Sequence, residues 1–407
     1  MAIEQRETTE KMNRLRKVRV CVVTATRAEY GLLRPIIQMM EYDTDIDSSI
    51  VVTGMHLSPE FGLTYKEIEN DGVLINKKIE ILLSSDTGAS ISKSMGLALT
   101  GFADYFSDHA FDMVILLGDR YETLAVAIAA MNAGIPIAHL HGGEITIGAV
   151  DDAIRHAITK LSYLHFTSTE EYRKRVIQLG ESPDRVFYVG ALAIDNIEQE
   201  KLLSREELSE QLGIDLSGDY AVVTFHPTTL ENDTAAYQVK ELLEALSVFQ
   251  DWHYVVTKAN ADKDGRVINK MLDEYAGAHT NVHVYSSLGT QRYLSALKYA
   301  TAVIGNSSSG LLEAPSFHIP TVNIGDRQKG RVRADSVFDC KPIAADIIRC
   351  IKLVRSEETR SYVKTVENPY KCNRDGAGTT AHQIVSIIKE YVLGNRINLK
   401  KIFYDVQ

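Results

Sequence analysis

The stretch MVILLGDRYETLAVAIAAMNAGIPIAHLHGGE, residues 113–144, indicates the architecture of the chain. It opens on a continuously apolar run, Met113–Leu117, that ends at a glycine. A segment of helical periodicity follows over Glu122–Ala133, and a second apolar run follows over Ile135–Leu140. Strands that are apolar along their whole length are typical of parallel sheets covered by helices on both faces. The stretch therefore predicts a strand–helix–strand unit of an α/β fold.

The same alternation of short apolar runs and helical segments extends over most of the chain. The other predicted strands are Arg19–Thr24, Ser49–Thr53, Tyr163–Thr167, Arg185–Val189, Tyr220–Phe225, His253–Lys258, Val282–Tyr285, Ala302–Gly305 and Thr321–Ile324. The other predicted helices include Ala28–Met40, Asp151–Leu161, Thr234–Phe249 and Ala377–Leu393. Two such series predict two doubly wound, Rossmann-like domains.

A charged stretch that is poor in β-branched residues, 190–219, separates the two series. We therefore expect an N-terminal Rossmann-like domain over residues 17–190 and a C-terminal one over residues 191–376. Residues 1–16 are expected to form a loose tail. Residues 377–407 are expected to form a helix and tail, and the sequence leaves open on which of the two domains they pack.

Composition restricts the function classes. The 407 residues are 45% hydrophobic and 24% charged, as in globular proteins that are soluble in water. A net charge of −10 argues against general nucleic-acid binding, which needs a basic face. No apolar run is long enough to span a bilayer, and the charged N-terminus lacks the apolar core of a signal peptide. We expect a cytoplasmic protein whose scattered cysteines are free thiols.

Charged and hydroxyl residues follow the predicted strands in both series. In open α/β sheets, ligands bind beyond the carboxyl ends of the strands. Glycine and aspartate at such places are ordinary turn residues, so turn chemistry explains part of the pattern. Because arginine, histidine and carboxylates recur at the strand ends of both series, we expect a ligand cleft between the two domains.

The residues at the strand ends exclude two common ligand sites. The first strand is followed by TATRAEY, residues 24–30, where a dinucleotide-binding domain would carry G-x-G-x-x-G. The chain also lacks the G-x-x-x-x-G-K-[ST] pattern of P-loop nucleotidases. Arginine side chains match phosphate oxygens in geometry and charge. The sequence therefore favours a phosphorylated or nucleotide-linked substrate.

The stretch IGNSSSGLLEAPSF, residues 304–317, places three serines between a predicted strand and a predicted helix. Serine hydroxyls and free N–H groups at the start of a helix favour an anion. One serine is also explained as a helix N-cap without any ligand. Three serines between Gly305 and Gly310 exceed what a cap requires, so we favour ligand contact, with Ser309 as the residue left for capping.

Four segments together resemble the hydrolysing UDP-N-acetylglucosamine 2-epimerases, from about Val18 to Leu393. They are RVCVVTATRAEYGLLRPII, GDRYETLAVAIAAMNAGIPIAHLHGGE, DDAIRHAITKLSYLHFTST and IGNSSSGLLEAPSFHIPTVNIGDRQKGR. The resemblance implies a glycosyltransferase-B-like fold with a nucleotide-binding C-terminal domain. It also implies conversion of UDP-N-acetylglucosamine and water to N-acetylmannosamine and UDP through a 2-acetamidoglucal, for sialic-type acid biosynthesis. Neither a metal nor a nicotinamide cofactor is implied.

The resemblance also implies roles for individual residues. The acid/base candidates are Asp119, Glu144, Asp151 and its neighbour Asp152, with His226 as a partner of the diphosphate or the sugar. The substrate-binding candidates are Arg27, Gly31, Arg120, Arg155, Asn260, Ser307, Ser308, Glu313 and Arg327. Gly31 stands where the family has a serine-type contact, and a glycine offers only its backbone there.

Several alternatives stay open at this point. His139 and His141 have the i, i+2 spacing of a metal pair on one strand face, but two ligands are too few for zinc. The nearest rival functions are a non-hydrolysing 2-epimerase, a glycosyltransferase of the same architecture and a nucleotide-sugar-binding regulator. GDP-N-acetylglucosamine and a UDP-linked diacetamido sugar are alternative substrates. The resemblance implies a homodimer or homotetramer.

Overall fold

The computed structural model describes residues 16–83, 85, 87–146, 150–227, 234–259, 265–372 and 378–406. The chain divides into two compact units. Unit 1 consists of Met1–Glu144, Val150–Asp195 and Cys372–Gln407, and unit 2 of Ile145–Ala149 and Asn196–Lys371. The units part after Asp195 and after Lys371, whereas the sequence placed the boundaries after residues 190 and 376.

Unit 1 is built on a seven-stranded sheet in the order β3-β2-β1-β4-β5-β6-β7. All neighbouring strands pair in parallel. The strands are β1 Val18–Thr24, β2 Ile46–Thr53, β3 Ile75–Ile79, β4 Met113–Leu117, β5 Ile137–Leu140, β6 Leu164–Thr167 and β7 Val186–Tyr188. The helices are α1 Arg27–Tyr42, α2 Tyr65–Asn70, α3 Gly88–Asp108, α4 Tyr121–Asn132, α5 Val150–Leu161, α6 Glu170–Gln178, the start of α7 Leu192–Gln199, and the C-terminal α15 Thr380–Leu393.

Successive residues of β1 point into two different apolar clusters, one on each face of the sheet. Val22 lies in the cluster that contains Leu33 of α1. Cys21 lies in the cluster that contains Phe102 of α3 and Val126 of α4. Because side chains alternate along a strand, burial of both sets requires helices on both faces. The doubly wound arrangement predicted from the sequence is confirmed here.

Unit 2 is built on a six-stranded sheet in the order β10-β9-β8-β11-β12-β13, again with parallel pairing. The strands are β8 Tyr220–Thr224, β9 His253–Thr257, β10 Val282–Tyr285, β11 Ala302–Gly305, β12 Thr321–Ile324 and β13 Val337–Cys340. The helices are α8 Arg205–Leu212, α9 Ala235–Ser247, α10 Gly265–Ala278, α11 Gly289–Tyr299, α12 Ser309–Leu312, α13 Ala344–Arg355 and α14 Glu357–Val363.

Both sheets reverse their winding direction at one place, between β1 and β4 in unit 1 and between β8 and β11 in unit 2. At such a switch point the connections leave in opposite directions, which opens a crevice beyond the carboxyl ends of the two strands. The loops that carry the predicted site residues begin at these strands. The topology therefore places a candidate site at the switch point of each unit.

The sequence did not predict β3 and β13, each of which lies at one edge of its sheet. β3 reads INKKI and exposes its middle residues, and β13 reads VFDC. An edge strand is covered less than a central one and often carries charge, which blocks pairing with other chains. The continuous apolar run by which the other strands were predicted is therefore missing.

The C-terminal helix α15 packs within unit 1. Ile384 and Ile388 lie in the same buried cluster as residues of β1 and α1. The buried carboxylate of Asp195 accepts the N–H groups of Thr380 (2.9 Å) and Ala381 (2.7 Å), which anchors the start of the helix. Among the described residues, no helix is long and apolar enough to cross a membrane.

Candidate active site

Arg155 organises the carboxyl ends of β4 and β5 in unit 1. Its side chain, 2% exposed, hydrogen-bonds the carboxylate of Asp119. It also donates to the carbonyl oxygen of Glu144 (2.8 Å) and to the carboxylate of Asp152 (3.3 Å). One buried guanidinium thus brings together residues that are 36 and 11 positions away in the sequence, including two predicted carboxylates.

The periodicity of α5 places Asp152 beside Arg155. Residues three apart lie on the same side of a helix, so Asp152 and Arg155 are neighbours. Asp152 also lies 3.5 Å from Nε2 of His156, while Asp151 is exposed. Asp152 thus contacts both Arg155 and His156, and the two aspartates remain candidates.

Glu144 is buried beyond the end of β5. Its Oε1 accepts a hydrogen bond from the hydroxyl of Ser168 (2.9 Å) and lies 3.2 Å from Nδ1 of His141. The preceding Gly143 has a φ of +79°, and a side chain there would lie 2.5 Å from the carbonyl oxygen of Tyr172. Only glycine allows this close approach, which turns the chain so that Glu144 points inward.

His139 supports the loop after β4. Its Nε2 lies 2.8 Å from the carbonyl oxygen of Gly118, so this nitrogen carries the proton, and its Nδ1 lies 3.2 Å from the hydroxyl of Thr159. Burial lowers the pKa of His139 to about 3, so the ring is neutral at physiological pH. Both ring nitrogens of His139 thus contact protein groups. His139 therefore has no nitrogen left to bind a metal together with His141, the pairing that the sequence suggested.

A second charged cluster lies at the ends of β1 and β4. Arg120 donates to the carboxylate of Glu122 (3.1 Å) and lies 4.0 Å from that of Glu29. The other oxygen of Glu29 accepts the N–H groups of Ala25 (2.7 Å) and Thr26 (3.2 Å), so Glu29 also completes the capping box of α1. Burial raises the pKa of Glu29 to about 7, although the charge of Arg120 opposes this.

Arg27 and Gly31 lie in the first turns of α1. The side chain of Arg27 is 46% exposed, and its guanidinium is 3.8 Å from the carboxylate of Glu67. A side chain added at Gly31 would meet no atom within 4 Å. The position is therefore open, and its glycine is not required by packing.

Asn306 joins three loops at the switch point of unit 2. Its side chain accepts the N–H of His226 (2.7 Å) and donates to the carbonyl oxygen of the same residue (2.8 Å). Its own carbonyl oxygen accepts from Arg327 (3.0 Å) and Gln328 (2.9 Å). The loops after β8, β11 and β12 are thereby held together by neutral groups and one guanidinium.

His226 is held mainly through its backbone. Burial, together with the charge of Arg327, lowers the pKa of its imidazole to about 3. Its Nδ1 is buried and has no hydrogen-bond partner among the described residues. A neutral imidazole with a free nitrogen at a switch point suits contact with a ligand.

The helix after the serine run is shorter than the sequence suggested. α12 spans only Ser309–Leu312 and is followed by a 3₁₀ turn, Ala314–Phe317. A helix of this length has little macrodipole, so anion binding here rests on hydroxyl and N–H groups. Ser307 and Ser308 are half-buried, whereas Ser309 is buried and accepts a hydrogen bond from Tyr293 (2.7 Å). The expectation that Ser309 caps the helix is wrong.

The sequence matches the model of the UDP-N-acetylglucosamine 2-epimerase family over residues 38–389. The chain belongs to the UDP-N-acetylglucosamine 2-epimerase family. The chain is 47% identical over 324 residues, 79% of its length and 84% of the relative's, to the hydrolysing GDP/UDP-N,N'-diacetylbacillosamine 2-epimerase of Campylobacter jejuni. It is 41% identical to polysialic acid biosynthesis protein P7 of Escherichia coli, over 95% of this chain and 97% of that protein.

Solved structures of this epimerase family share the fold. A UDP-GlcNAc 2-epimerase from Neisseria meningitidis, bound to UDP-GlcNAc, superposes with a TM-score of 0.78 at 18% identity, over 92% of this chain and 100% of that one. The Methanocaldococcus jannaschii UDP-GlcNAc 2-epimerase, in complex with UDP-GlcNAc and UDP, superposes with a TM-score of 0.74 at 17% identity, over 91% and 99%. The predicted two-domain, glycosyltransferase-B-like fold is confirmed, and so is membership of the 2-epimerases.

Within this epimerase the structure gathers the predicted residues into two groups. Asp119, Glu144, Asp152 and Arg155 lie together in unit 1. His226 and Arg327 lie together in unit 2 through Asn306. Asn260 lies outside the described residues. Their assignment to substrate remains a prediction.

Sequence reasoning missed several residues of the epimerase that the structure adds to these groups. The additions are Glu29, Glu122, His139, Ser168, Tyr293 and Asn306. Glu29 completes a capping box, a pattern that indicates a helix start without any ligand. Asn306 stood within the quoted serine stretch, but turn residues such as asparagine are too common to single out.

Proposed function

We propose that the protein is a hydrolysing 2-epimerase of a nucleotide-linked 2-acetamido sugar. Water and the nucleotide sugar react to give the free sugar with inverted configuration at C2 and the nucleoside diphosphate. With UDP-N-acetylglucosamine the products are N-acetylmannosamine and UDP. The single observation that carries the proposal is the buried Arg155, which holds Asp119 and Asp152 beside Glu144.

The arrangement in unit 1 fits an elimination followed by hydration. One carboxylate removes the C2 proton while the C1–oxygen bond breaks and the diphosphate leaves, which gives the 2-acetamidoglucal. A second group then returns a proton to the opposite face of C2 while water adds at C1. Because a C2 hydrogen is a weak acid, the base must be positioned, and Arg155 supplies that positioning.

The diphosphate and nucleotide are assigned to the switch point of unit 2. Ser307, Ser308, Arg327 and the neutral His226 offer donors to phosphate oxygens. Arg27, Gly31 and Arg120 are assigned to the sugar and phosphates in unit 1, as the family resemblance implies. The leaving diphosphate gains charge as the C1–oxygen bond breaks, so these donors stabilise the transition state more than the substrate.

UDP-N-acetylglucosamine is the first candidate substrate because the matching family is named for it. A nucleotide-linked 2,4-diacetamido-trideoxy sugar is the second, because the relative at 47% identity is named for diacetylbacillosamine. The two sugars differ at C4 and C6, away from the bond that breaks. The same carboxylates would therefore serve both.

A substrate panel tests the proposal. UDP-N-acetylglucosamine, GDP-N-acetylglucosamine and UDP-diacetamido-trideoxyglucose are each incubated with the enzyme in D₂O, and release of nucleoside diphosphate is followed. We expect release from at least one donor, with deuterium at C2 of a free sugar product by NMR. A product that retains its nucleotide, or product without deuterium at C2, would contradict the mechanism.

Replacement of single carboxylates tests the site. Asp119→Asn and Glu144→Gln should each lower kcat by about 10²–10⁴-fold, since each removes a proton-transfer group. Asp151→Asn and Asp152→Asn compare the two neighbours, and the larger loss identifies the one that contacts substrate. Asp104→Asn, on the exposed face of α3, is the matched control and should retain full activity. Wild-type rates for both Asp119→Asn and Glu144→Gln would remove the assignment.

The resemblance also supports a cytoplasmic homodimer or homotetramer as the active form. Light scattering coupled to gel filtration measures the mass against the 45.3 kDa chain. A monomer at working concentration would contradict this part of the proposal and leave the reaction untouched.

A further inference from the structure

A chain of hydroxyl groups crosses the carboxyl end of the sheet in unit 2 and ends at Glu313. The hydroxyls of Thr257 on β9 and Thr224 on β8 lie 2.5 Å apart. Tyr293, on α11, lies against Thr224 and donates its hydroxyl proton to Oγ of Ser309 at 2.7 Å. Ser309 in turn hydrogen-bonds the carboxylate of Glu313. Four of the five side chains are neutral, and the chain terminates on the single carboxylate.

The direction of these hydrogen bonds is set by chemistry. Burial, and then the nearby charge of Glu313, raises the pKa of Tyr293, so its hydroxyl stays protonated and acts as the donor. Once Ser309 accepts that proton, its own single proton is free to be donated to Glu313. The donors from Tyr293 onward therefore point toward the carboxylate, and loss of the Tyr293 hydroxyl would let Ser309 rotate.

Like Glu29 and Glu122 of unit 1, Glu313 has one buried carboxylate oxygen without a hydrogen-bond partner among the described residues. Its Oε2 is buried and has no hydrogen-bond partner within the described ranges. It forms no ion pair with any residue described, in contrast to Asp119 or Glu122 in unit 1. A buried carboxylate oxygen without a donor costs free energy unless a ligand supplies one. A vicinal diol is a suitable ligand, because it brings two donors and no charge.

We propose that Tyr293 and Ser309 are positioning residues that orient Glu313 so that Oε2 accepts hydrogen bonds from the ribose hydroxyls of the nucleotide. This inference rests on the proposed function, and it assigns the serine that sequence reasoning left as a cap. It makes discrimination for ribose depend on a hydroxyl that does not touch the ligand. The chain thereby acts as a device for ligand specificity.

The test compares nucleotides with and without the diol. Dissociation constants of UDP, GDP and their 2',3'-dideoxy forms are measured by calorimetry for wild type, Tyr293→Phe, Ser309→Ala and Glu313→Gln. Whichever of UDP and GDP binds to wild type, Tyr293→Phe should raise its dissociation constant by about fivefold to tenfold, which corresponds to the loss of one hydrogen bond. Its dideoxy form should bind within twofold of wild type. In turnover, KM should rise by a similar factor with kcat nearly unchanged.

Tyr254→Phe is the matched control. Tyr254 is also buried in unit 2, but its hydroxyl donates to the backbone carbonyls of Leu246 and Phe249, away from Glu313. This variant should leave the ratio of ribose to dideoxy affinity unchanged. If Tyr293→Phe weakens the ribose and dideoxy forms equally, the inference is overturned.

A double-mutant cycle completes the test. In the Glu313→Gln background, Tyr293→Phe should have no further effect on that ratio, because the group it orients is gone. Additive effects, or a wild-type enzyme that does not favour ribose, would overturn the inference. Failure of the proposed function is distinguishable, because it appears as absence of nucleoside diphosphate release from every sugar nucleotide in the panel.

Discussion

The two switch points have the same topology and opposite chemistry. In unit 1 the strand ends carry carboxylates that are fixed by arginines, with Arg155 on Asp119 and Asp152 and Arg120 on Glu122. In unit 2 the loops are held by an amide, Asn306, and by the hydroxyl chain from Thr257 to Glu313. The same parallel sheet thus supports a charged site in one unit and a nearly neutral one in the other.

The difference follows from what each site is proposed to handle. Proton transfer at carbon needs carboxylates at fixed positions, and burial of a carboxylate costs free energy unless a cation or hydrogen-bond donors compensate its charge. Binding of a diphosphate and a ribose needs donors that are not already neutralised by acids. Unit 1 therefore carries its own counter-charges, while unit 2 leaves hydrogen-bonding groups for the ligand.

Removal of the Arg155 guanidinium should have the largest effect. Arg155→Met leaves Asp119 and Asp152 without their cation and should cost about 3–5 kcal/mol of unfolding free energy. Displacement of Asp119 should also lower kcat by about 100-fold or more. Urea unfolding and steady-state turnover measure the two effects. Lys270→Met, which breaks an exposed i,i+4 pair with Glu274, is the control and should cost less than about 0.5 kcal/mol.

The charge of Glu29 should make the stability of unit 1 depend on pH. Its pKa is raised by burial from the usual 4.5 to about 7, so between these values the folded state holds a proton that the unfolded state has released. The stabilisation is present below pH 4.5 and is lost as pH rises to about 7, by on the order of 3 kcal/mol. Glu29→Gln keeps the capping box but should lose this pH dependence.

Unfolding of wild type and Glu29→Gln at pH 5, 6, 7 and 8 measures the difference. The advantage of wild type over the variant should shrink steadily between pH 5 and 7 and then level off. Glu41→Gln, an exposed glutamate on the same helix, should show no such trend. A constant difference at all four pH values would show that Glu29 is ionised throughout.

The hydrogen bonds between Asn306 and His226 in unit 2 should contribute a stability that does not depend on pH. Asn306→Ala leaves the N–H and carbonyl of His226 without partners and should cost about 2–3 kcal/mol. Because no titratable group is removed, this loss should be the same at pH 5 and pH 8. Asn132→Ala, exposed at the end of α4, should change stability by less than about 0.5 kcal/mol. If the loss of unfolding free energy in Asn306→Ala depended on pH, the contrast between a charged site in unit 1 and a nearly neutral one in unit 2 would not hold.

Two glycines should give the smallest effects, of opposite sign. Gly31 lies inside α1 with open space around it, so Gly31→Ala should stabilise the helix by about 0.5–1 kcal/mol. Gly213 ends α8 with a φ of +68°, so Gly213→Ala should destabilise by about 1 kcal/mol although its surroundings are equally open. Thermal unfolding measures both, and a destabilising Gly31→Ala would show that its backbone conformation is required.

The central strands could be predicted closely because both of their faces are buried. Met113–Leu117 and Ala302–Gly305 were predicted with the bounds observed. The edge strand Val282–Tyr285 was also predicted with its observed bounds, whereas β3 and β13 were not, because lysine and aspartate interrupt their apolar runs. The sequence likewise predicted that charged and hydroxyl residues follow the strands, because the carboxyl ends of parallel strands lie at the same edge of a sheet.

The pairing of the site residues was not predictable. Arg155 meets Asp119 across 36 positions, Asn306 meets His226 across 80, and Tyr293 meets Ser309 across 16. Each partner alone has an ordinary alternative as a turn, helix-face or core residue. The length of α12 also escaped prediction, because the apolar residues after it continue in a 3₁₀ turn with similar spacing.

By itself, the sequence determined two doubly wound sheets, the strand ends that carry chemistry, and the resemblance to the hydrolysing 2-epimerases. These follow from local patterns, because a short stretch of sequence shows whether a strand is apolar on both faces and where a turn interrupts it. Only the tertiary structure decided that Asp152 pairs with Arg155, that His139 and His226 are neutral, and that Ser309 accepts a hydrogen bond from Tyr293 and is not the N-cap of α12. Those properties depend on burial and on partners far away in the chain, which no local pattern encodes.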